Sequence, residues 1–216
     1  MSPQTPSPTP EFVAAQKDLS PQRDMAKFSF DLDEGMIQEI KEEFDPEKVS
    51  AAYAELVKNT PADKLPEAAK KFFEDWGKRW MERSLELGEK FTDRTYEVLR
   101  AAAEKTGVLA FPLIPERFIE IAYLSTQPIY TVPIVENGAR GLTFKMAFCD
   151  YYKGFGEKSG DEVRDQLHCK HMCLAACRTA FEAFGFKTTV GMDYTMPNDG
   201  FCQFSIRRAE PTIPHT

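Results

Sequence analysis

The chain has 216 residues, and its 42% content of hydrophobic residues is enough to bury the core of one domain of ordinary size. Because it carries 34 acidic and 27 basic residues, its formal net charge is -7, and phosphate backbones and anionic membrane surfaces repel the molecule as a whole. The charge therefore predicts that neither nucleic acid nor a membrane is a partner.

The hydropathy pattern and the N-terminal sequence indicate where in the cell the protein is located. No stretch approaches the roughly 18 uninterrupted apolar residues of a membrane-spanning helix. The N-terminus also lacks the basic and then apolar pattern of a secretory signal. Together these features predict a cytoplasmic protein.

The chain contains an odd number of cysteines, namely Cys149, Cys169, Cys173, Cys177 and Cys202. Three of them recur every four residues in a segment with a helical pattern, where disulfides between them are geometrically awkward. The count and the spacing favour reduced thiols over a disulfide framework.

Composition divides the chain into a tail and one domain. Residues 1–27 are rich in Pro, Ser, Thr and Gln and bury too little apolar surface to offset the entropy cost of folding, so we expect a disordered tail. The remainder, residues 28–210, is expected to form a single domain. Its first half, about 33–124, shows helical patterns, and its second half, about 129–208, alternates β-rich segments with helix.

The helical half carries clear start signals. Asp45 stands before Pro46, as a capping residue does before a helix-starting proline, and this helix should end near Asn59. A second helical pattern begins near Leu65 and a third at Pro115. The second pattern is dense in aromatic residues: Phe72, Phe73, Trp76 and Trp80. They predict core packing, with an aromatic-lined pocket or a contact between copies of the chain in a homo-oligomer as the alternatives.

Two pairs of β-rich segments flank a long helical pattern in the second half. The first pair, 129–135 and 142–148, is joined by a turn and predicts a hairpin, in which Pro133 favours an edge strand or a bulge. A helix is predicted over 161–184, and Gly185 stands where a left-handed C-terminal cap is expected.

The second pair of β-rich segments, 186–192 and 201–207, predicts another hairpin after this helix. The order is then strand, strand, helix, strand, strand, preceded by helices. We therefore predict an α+β fold in which the N-terminal helices pack on an antiparallel sheet of about four strands.

Candidate catalytic residues concentrate on the predicted helix 161–184. Cys173 and Cys177 lie on or beside its apolar stripe, and the simplest interpretation is that they are small buried hydrophobes. The alternative is a nucleophilic thiolate, for which His171, beside the stripe, is the better-placed base. Lys170 falls within the stripe, so it either extends to solvent or faces a pocket and binds a substrate carboxylate.

A metal ion is a third interpretation of the thiols. Cys169, Cys173 and Cys177 on one straight helix are spread over about 12 Å, so the three cannot bind a single ion. A zinc ion, with Zn–S bonds of about 2.3 Å, would need two neighbours and a distant ligand such as Cys202. We therefore predict no metal ligands among the site residues, and the sequence identifies no cofactor.

The loop of the second hairpin holds the other candidates. Asp193, Tyr194 and Asp199 lie beside turn residues, where side chains either project over the sheet or belong to an ordinary loop. Cys202 follows this loop, and it shares one face of the predicted strand with Phe204. This arrangement makes the loop the second candidate region for binding or acid–base chemistry.

Three short motifs carry a family resemblance. They are Cys149-Asp150-Tyr151-Tyr152, the pair Cys173 and Cys177, and Gly200-Phe201-Cys202-Gln203-Phe204. With these motifs and their order of hairpin, cysteine-bearing helix and hairpin, residues 129–208 resemble the 2-aminothiazoline-4-carboxylate hydrolase-like family. The layout is also similar to small-ligand domains of the vinyl-reductase type.

The first resemblance implies a hydrolase that opens a cyclic amidine or a related C–N bond in a small-molecule substrate. Cys202 or Cys173 would then be the nucleophile, and His171 or Asp199 would be the base. The residues expected to bind the substrate are Lys170, Asp193 and Tyr194. The second resemblance implies a non-catalytic module that binds a small ligand or a metal.

Overall fold

The computed structural model describes residues 34–90, 105, 115–129, 132–138, 141–167 and 169–209. The helices of this part are α1 (Glu34–Glu43), α2 (Pro46–Asn59), α3 (Leu65–Lys90), α4 (Pro115–Ser125), α5 (Asp150–Ser159), α6 (Asp161–Leu167), α7 (Lys170–Ala183) and α8 (Met196–Asp199). Its strands are β1 (Ile134–Gly138), β2 (Gly141–Met146), β3 (Thr188–Tyr194) and β4 (Cys202–Arg208). They form one antiparallel sheet in the order β1-β2-β4-β3, so the predicted α+β class and four-stranded antiparallel sheet are confirmed.

The predicted tail, residues 1–27, lies outside the described residues. All described residues belong to one compact unit that the chain forms from residue 33 onward. Within the described ranges, no helix is both long enough and apolar enough to cross a membrane.

The predicted helix starts in the first half are present. The carboxylate of Asp45 accepts hydrogen bonds from the backbone N–H groups of Glu47 and Lys48, at 2.9 Å and 3.2 Å, and Pro46 begins α2. These bonds satisfy donors that the first turn of a helix leaves without an intrahelical acceptor. The next helix, α3, runs continuously through Gly88 to Lys90.

The first hairpin is shorter than the sequence predicts. The strand expected over 129–135 begins only at Ile134, because Ile129 is held in the turn after α4, where its N–H donates to the Thr126 carbonyl. Pro133 precedes the strand, and a register shift follows between Ile134 and Glu136. Since β1 is an edge strand of the sheet, both parts of the prediction for Pro133 are confirmed.

The helix predicted over 161–184 is interrupted. α6 ends at Leu167 and α7 begins at Lys170, with Cys169 between them at φ -63° and ψ 1°. The left-handed cap at Gly185 is confirmed by its φ of 70°. A further helix, α5, which the sequence analysis did not predict, occupies the segment before Gly160.

The helices meet the sheet through α7, which packs along α3 and also contacts β3. Aromatic side chains form much of the core between the helices. The Phe73 ring lies 4.9 Å from that of Tyr53 and 5.2 Å from that of Phe155, measured between centroids. Phe73 and Trp80 are buried, so core packing is confirmed for these two aromatic residues.

Candidate functional site

Strand pairing brings two cysteines together at one end of the sheet. Cys202, the first residue of β4, pairs with Met146, the last residue of β2. Cys149 follows three residues later and caps α5, where its Sγ accepts a hydrogen bond of 3.4 Å from the Tyr152 N–H. The Cys149 and Cys202 thiols lie within electrostatic range of each other.

The break between α6 and α7 supplies two further thiols. Cys169 occupies the break and Cys173 lies four residues later, so the two share one side of the chain where α7 begins. Each interacts electrostatically with Cys149 and Cys202, and Cys173 also interacts with Cys169. A Coulombic effect on the pKa therefore links every pair among Cys149, Cys169, Cys173 and Cys202, and we call this group the four-thiol site.

The thiols of this site are held in their neutral form. Burial raises the pKa of Cys149 to about 11 and raises the pKa values of Cys169 and Cys173 well above the usual cysteine value. Repulsion between neighbouring thiolates adds to the effect. Burial also raises the pKa of Cys202, although the Met196 backbone N–H donates a hydrogen bond to its thiol and opposes the shift.

The fifth cysteine, Cys177, lies one helical turn beyond Cys173. Burial raises the pKa of its thiol to about 12, while the nearby Arg178 opposes that shift. Among the thiols of the four-thiol site, only Cys173 has a pKa that Cys177 is shown to affect. Cys177 is therefore a similarly half-buried cysteine on the same helix that stands beside the site.

A fixed cation lies close to Cys169. The Arg164 guanidinium opposes the rise in the Cys169 pKa, and it stacks 4.0 Å from the centroid of the Tyr152 ring. It is held by Asp161 and Asp165, each at 2.7 Å, and Asp165 also accepts a 2.6 Å hydrogen bond from the Tyr152 hydroxyl. This network places a positive charge near the thiols and keeps it in one orientation.

The buried hydroxyl of Tyr53 also interacts electrostatically with this region. Tyr53 is fully buried, and its hydroxyl has no hydrogen-bond partner among the described residues. Burial raises the pKa of Tyr53, and an ionised Cys169 would raise it further. A buried donor without an acceptor costs about 1–3 kcal/mol, so an acceptor within reach of the Tyr53 hydroxyl would stabilise the fold.

The predicted base His171 points elsewhere. Its Nδ1 lies 3.8 Å from the Glu74 carboxylate on α3, and burial lowers its pKa. Positions 171 and 173 are about 200° apart around a helix, so His171 and Cys173 lie on different sides of α7. Lys170, the first residue of α7, is partly exposed and lies close enough to His171 to contribute to its lowered pKa.

The predicted loop residues are engaged within their own hairpin. The carboxylate of Asp193 accepts hydrogen bonds from Ser205 and, at 3.4 Å, from Gln203. The Tyr194 ring lies 5.1 Å from that of Phe201. Asp193 and Tyr194 therefore stabilise the hairpin in the described arrangement.

Asp199 is the predicted residue that the structure brings to a thiol. Its carboxylate accepts a 2.8 Å hydrogen bond from the Thr195 N–H and also raises the pKa of Cys202. A cavity of about 250 Å³ contains none of the predicted substrate-binding residues. Its lining is formed by Lys41, Asp45, Pro46, Gln127, Pro128, Ile129 and Asp150.

From the sequence, Cys173 and Cys202 are candidate nucleophiles and Cys169 is considered only as a metal ligand, whereas Cys149 and Tyr53 have no predicted role. The motif that begins at Cys149 was the available signal for that residue. Among the described residues, no three His, Cys, Asp or Glu side chains are arranged to hold one metal ion. Comparison of the chain with protein-family models, with curated proteins and with solved structures finds no match.

Proposed function

We propose that the protein is a metal-binding module whose metal is ligated by the four-thiol site, with the thiols drawing together as the metal binds, because no three ligands among the described residues are arranged to hold one ion before that. The observation that carries the proposal is that Coulombic effects on the pKa link every pair of the four thiols. These thiols come from three separate places in the chain: the cap of α5, the start of α7 and the start of β4. The site therefore exists only in the folded protein.

The electrostatics favour a bound cation. Ionising one buried thiol is costly, and ionising a second beside it is more so, because each charge repels the next in a poorly solvated place. A soft metal cation reverses both effects, since it binds thiolates directly and releases their protons to solvent. The raised pKa values make these thiols poor nucleophiles, but they do not prevent the thiols from binding a metal.

Metal binding by thiols also indicates the cellular compartment of the protein. Thiols that bind a metal must stay reduced, and the cytoplasm is the compartment that maintains free thiols. We place the protein there. In this proposal the metal also links β4, α5 and α7 at one point, so it contributes to folding as well as to binding.

Metal content of single-site variants tests the proposal. We expect metal in freshly purified wild-type protein, and its loss in Cys149→Ser and Cys202→Ser. Cys177→Ser is the matched control, because it removes a buried thiol on the same helix outside the site, and it should keep the metal. Equal metal content in all variants, or none in the wild type, would contradict the proposal.

A hydrolase is the second candidate, favoured by one observation at Cys202. The Met196 N–H hydrogen bond stabilises the thiolate form, and the Asp199 carboxylate lies nearby as a base. The Cys202 sulfur would then attack the amidine carbon of the substrate, the C–N bond would break as its nitrogen takes a proton, and water would hydrolyse the adduct and free the thiol. Rapid iodoacetamide labelling of Cys202 alone at neutral pH in metal-free protein would favour this candidate, whereas slow labelling of every cysteine would count against it.

A further inference from the structure

We infer that the cavity of about 250 Å³ binds a small zwitterion of the amino-acid class, whose ammonium group is held by Asp45 and Asp150 and whose carboxylate is held by Lys41. The cavity lies where the end of α1, the start of α2, the turn after α4 and the start of α5 meet. None of the described residues that line it is a cysteine, so its occupant does not depend on the proposed metal binding.

Charges of both signs line the cavity without neutralising each other. Lys41 is exposed, and it forms no ion pair with Asp45, Asp150 or any other residue that the structure describes. Asp45 uses only Oδ1 to cap α2, at 2.9 Å and 3.2 Å, so its Oδ2 has no partner among those residues. The carboxylate of Asp150, half-buried in the first turn of α5, also has no hydrogen bond or ion pair within the described ranges. One ammonium group and two carboxylates are therefore available to a ligand.

Charge complementarity favours a zwitterion over a ligand with one charge. Lys41 would repel a simple cation, and the two carboxylates would repel a simple anion, whereas a zwitterion meets an opposite charge at each end. The ammonium group of an amino acid offers three donors to carboxylate acceptors, and a lysine attracts the carboxylate of the ligand as a point charge. The Oε1 of Gln127 is a further acceptor, because its Nε2 already donates to the Tyr123 carbonyl at 3.2 Å.

The volume and the apolar part of the lining limit the size of the ligand. Pro128 and Ile129 are buried, and together with Pro46 they offer apolar surface to the hydrocarbon part of an amino acid. Cavities that hold drug-sized molecules have volumes of roughly 300–1,000 Å³. The smaller volume of this cavity, about 250 Å³, favours a single amino acid over a peptide or a nucleotide.

Hydrogen bonds hold the walls of the cavity in place before a ligand binds. In the turn after α4, the Ile129 N–H donates to the Thr126 carbonyl at 2.9 Å. The Tyr151 hydroxyl donates to the Phe44 carbonyl, and this bond joins the first turn of α5 to the residue before Asp45. Walls that are already ordered reduce the entropy cost of binding a small ligand.

Isothermal titration calorimetry of the full chain tests the ligand class, with the standard amino acids and 4-aminobutyrate as probes. We expect at least one probe to bind. Its amide lacks the negative charge and its N-acetyl derivative lacks the positive charge, so each derivative should bind at least about tenfold more weakly than the probe. Binding by none of the probes, or equal binding by either derivative, would overturn the inference.

Single-site variants then test whether the probe binds in this cavity. Lys41→Met keeps an apolar stem and removes the positive charge, whereas Asp150→Asn removes a negative charge at nearly constant shape. Each should weaken binding of the same probe by about tenfold. Lys58→Met and Asp63→Asn are the matched controls, because both residues are exposed and neither lines the cavity, and both variants should bind as the wild type does. Wild-type affinity in Lys41→Met and Asp150→Asn, or an equal loss in the controls, would overturn the site.

Discussion

At the scale of single residues, the unusual feature is the number of buried or half-buried thiols and hydroxyls whose pKa is raised. Thiols and tyrosine hydroxyls of the core have raised pKa values, chiefly because burial penalises the charged form. In the metal-free protein these groups keep their protons at neutral pH. Their state therefore depends strongly on what binds beside them.

The raised pKa of Cys149 predicts a pH dependence of stability in metal-free protein. The unfolded thiol loses its proton near pH 9, but the folded thiol does so only at about pH 11. The stabilising contribution is complete below pH 9 and is lost as the pH rises through 11. The rise of the pKa from 9 to about 11 corresponds to about 2–3 kcal/mol in the free energy of unfolding.

Urea unfolding of metal-free protein at several pH values from 8 to 11 measures this effect. We expect Cys149→Ser to lose less stability than the wild type over that interval, since serine does not ionise there. The same loss in both proteins would show that Cys149 is already ionised, or solvated, in the fold.

At the scale of elements, the crossing of α3 and α7 sets the position of two thiols. A Cβ placed on Gly77 would lie 1.9 Å from the backbone oxygen of Met172, so the two helices touch directly at this glycine. Met172 precedes Cys173 in the chain. The contact therefore fixes how far α7 stands from α3 where it carries the four-thiol site.

Gly77→Ala is predicted to separate the two helices and lower the free energy of unfolding by about 1–3 kcal/mol. It should also reduce the metal content, because Cys173 moves with Met172. Gly191→Ala is a suitable control, since its new Cβ would meet no atom nearer than the Ser205 carbonyl oxygen at 3.9 Å. Thermal unfolding compares the two, and equal stability would show that α7 shifts without strain.

The helix caps and helix breaks show which features of the elements the sequence can predict and which it cannot. The cap at Asp45 and the turn at Gly185 act locally, so both were predictable. The break at Cys169 was not, because the apolar periodicity continues across it. α5 was also missed, since residues such as Gly154 lower helix propensity, although here that glycine admits the Ser50 side chain, whose Oγ would lie 2.3 Å from a Cβ.

At the scale of the whole molecule, the four-thiol site joins parts of the chain that are far apart in sequence. The pairing of Met146 with Cys202 depends on the sheet register, and the approach of Cys169 depends on helix packing. Neither is visible in spacing along the chain. For this reason Cys173 and Cys202 were identified as separate candidates, while their association with Cys149 and Cys169 required the fold.

A metal bound at this junction should stabilise the entire domain, because only the folded chain forms the site. We predict that a strong chelator lowers the melting temperature of the wild type to about that of Cys202→Ser. The chelator should leave the melting temperature of Cys202→Ser unchanged. A chelator that acts equally on both proteins, or on neither, would show that the thiols do not couple metal binding to folding.

The central claim is that the four thiols act together as metal ligands, and native mass spectrometry of anaerobically purified full-length protein tests it most directly. We predict a native mass above that of the chain by a bound metal centre, lost on denaturation, with the same added mass in Cys177→Ser and none in Cys173→Ser. A native mass equal to that of the bare chain, with all five cysteines free after unfolding, would contradict the claim and leave the thiols as core residues.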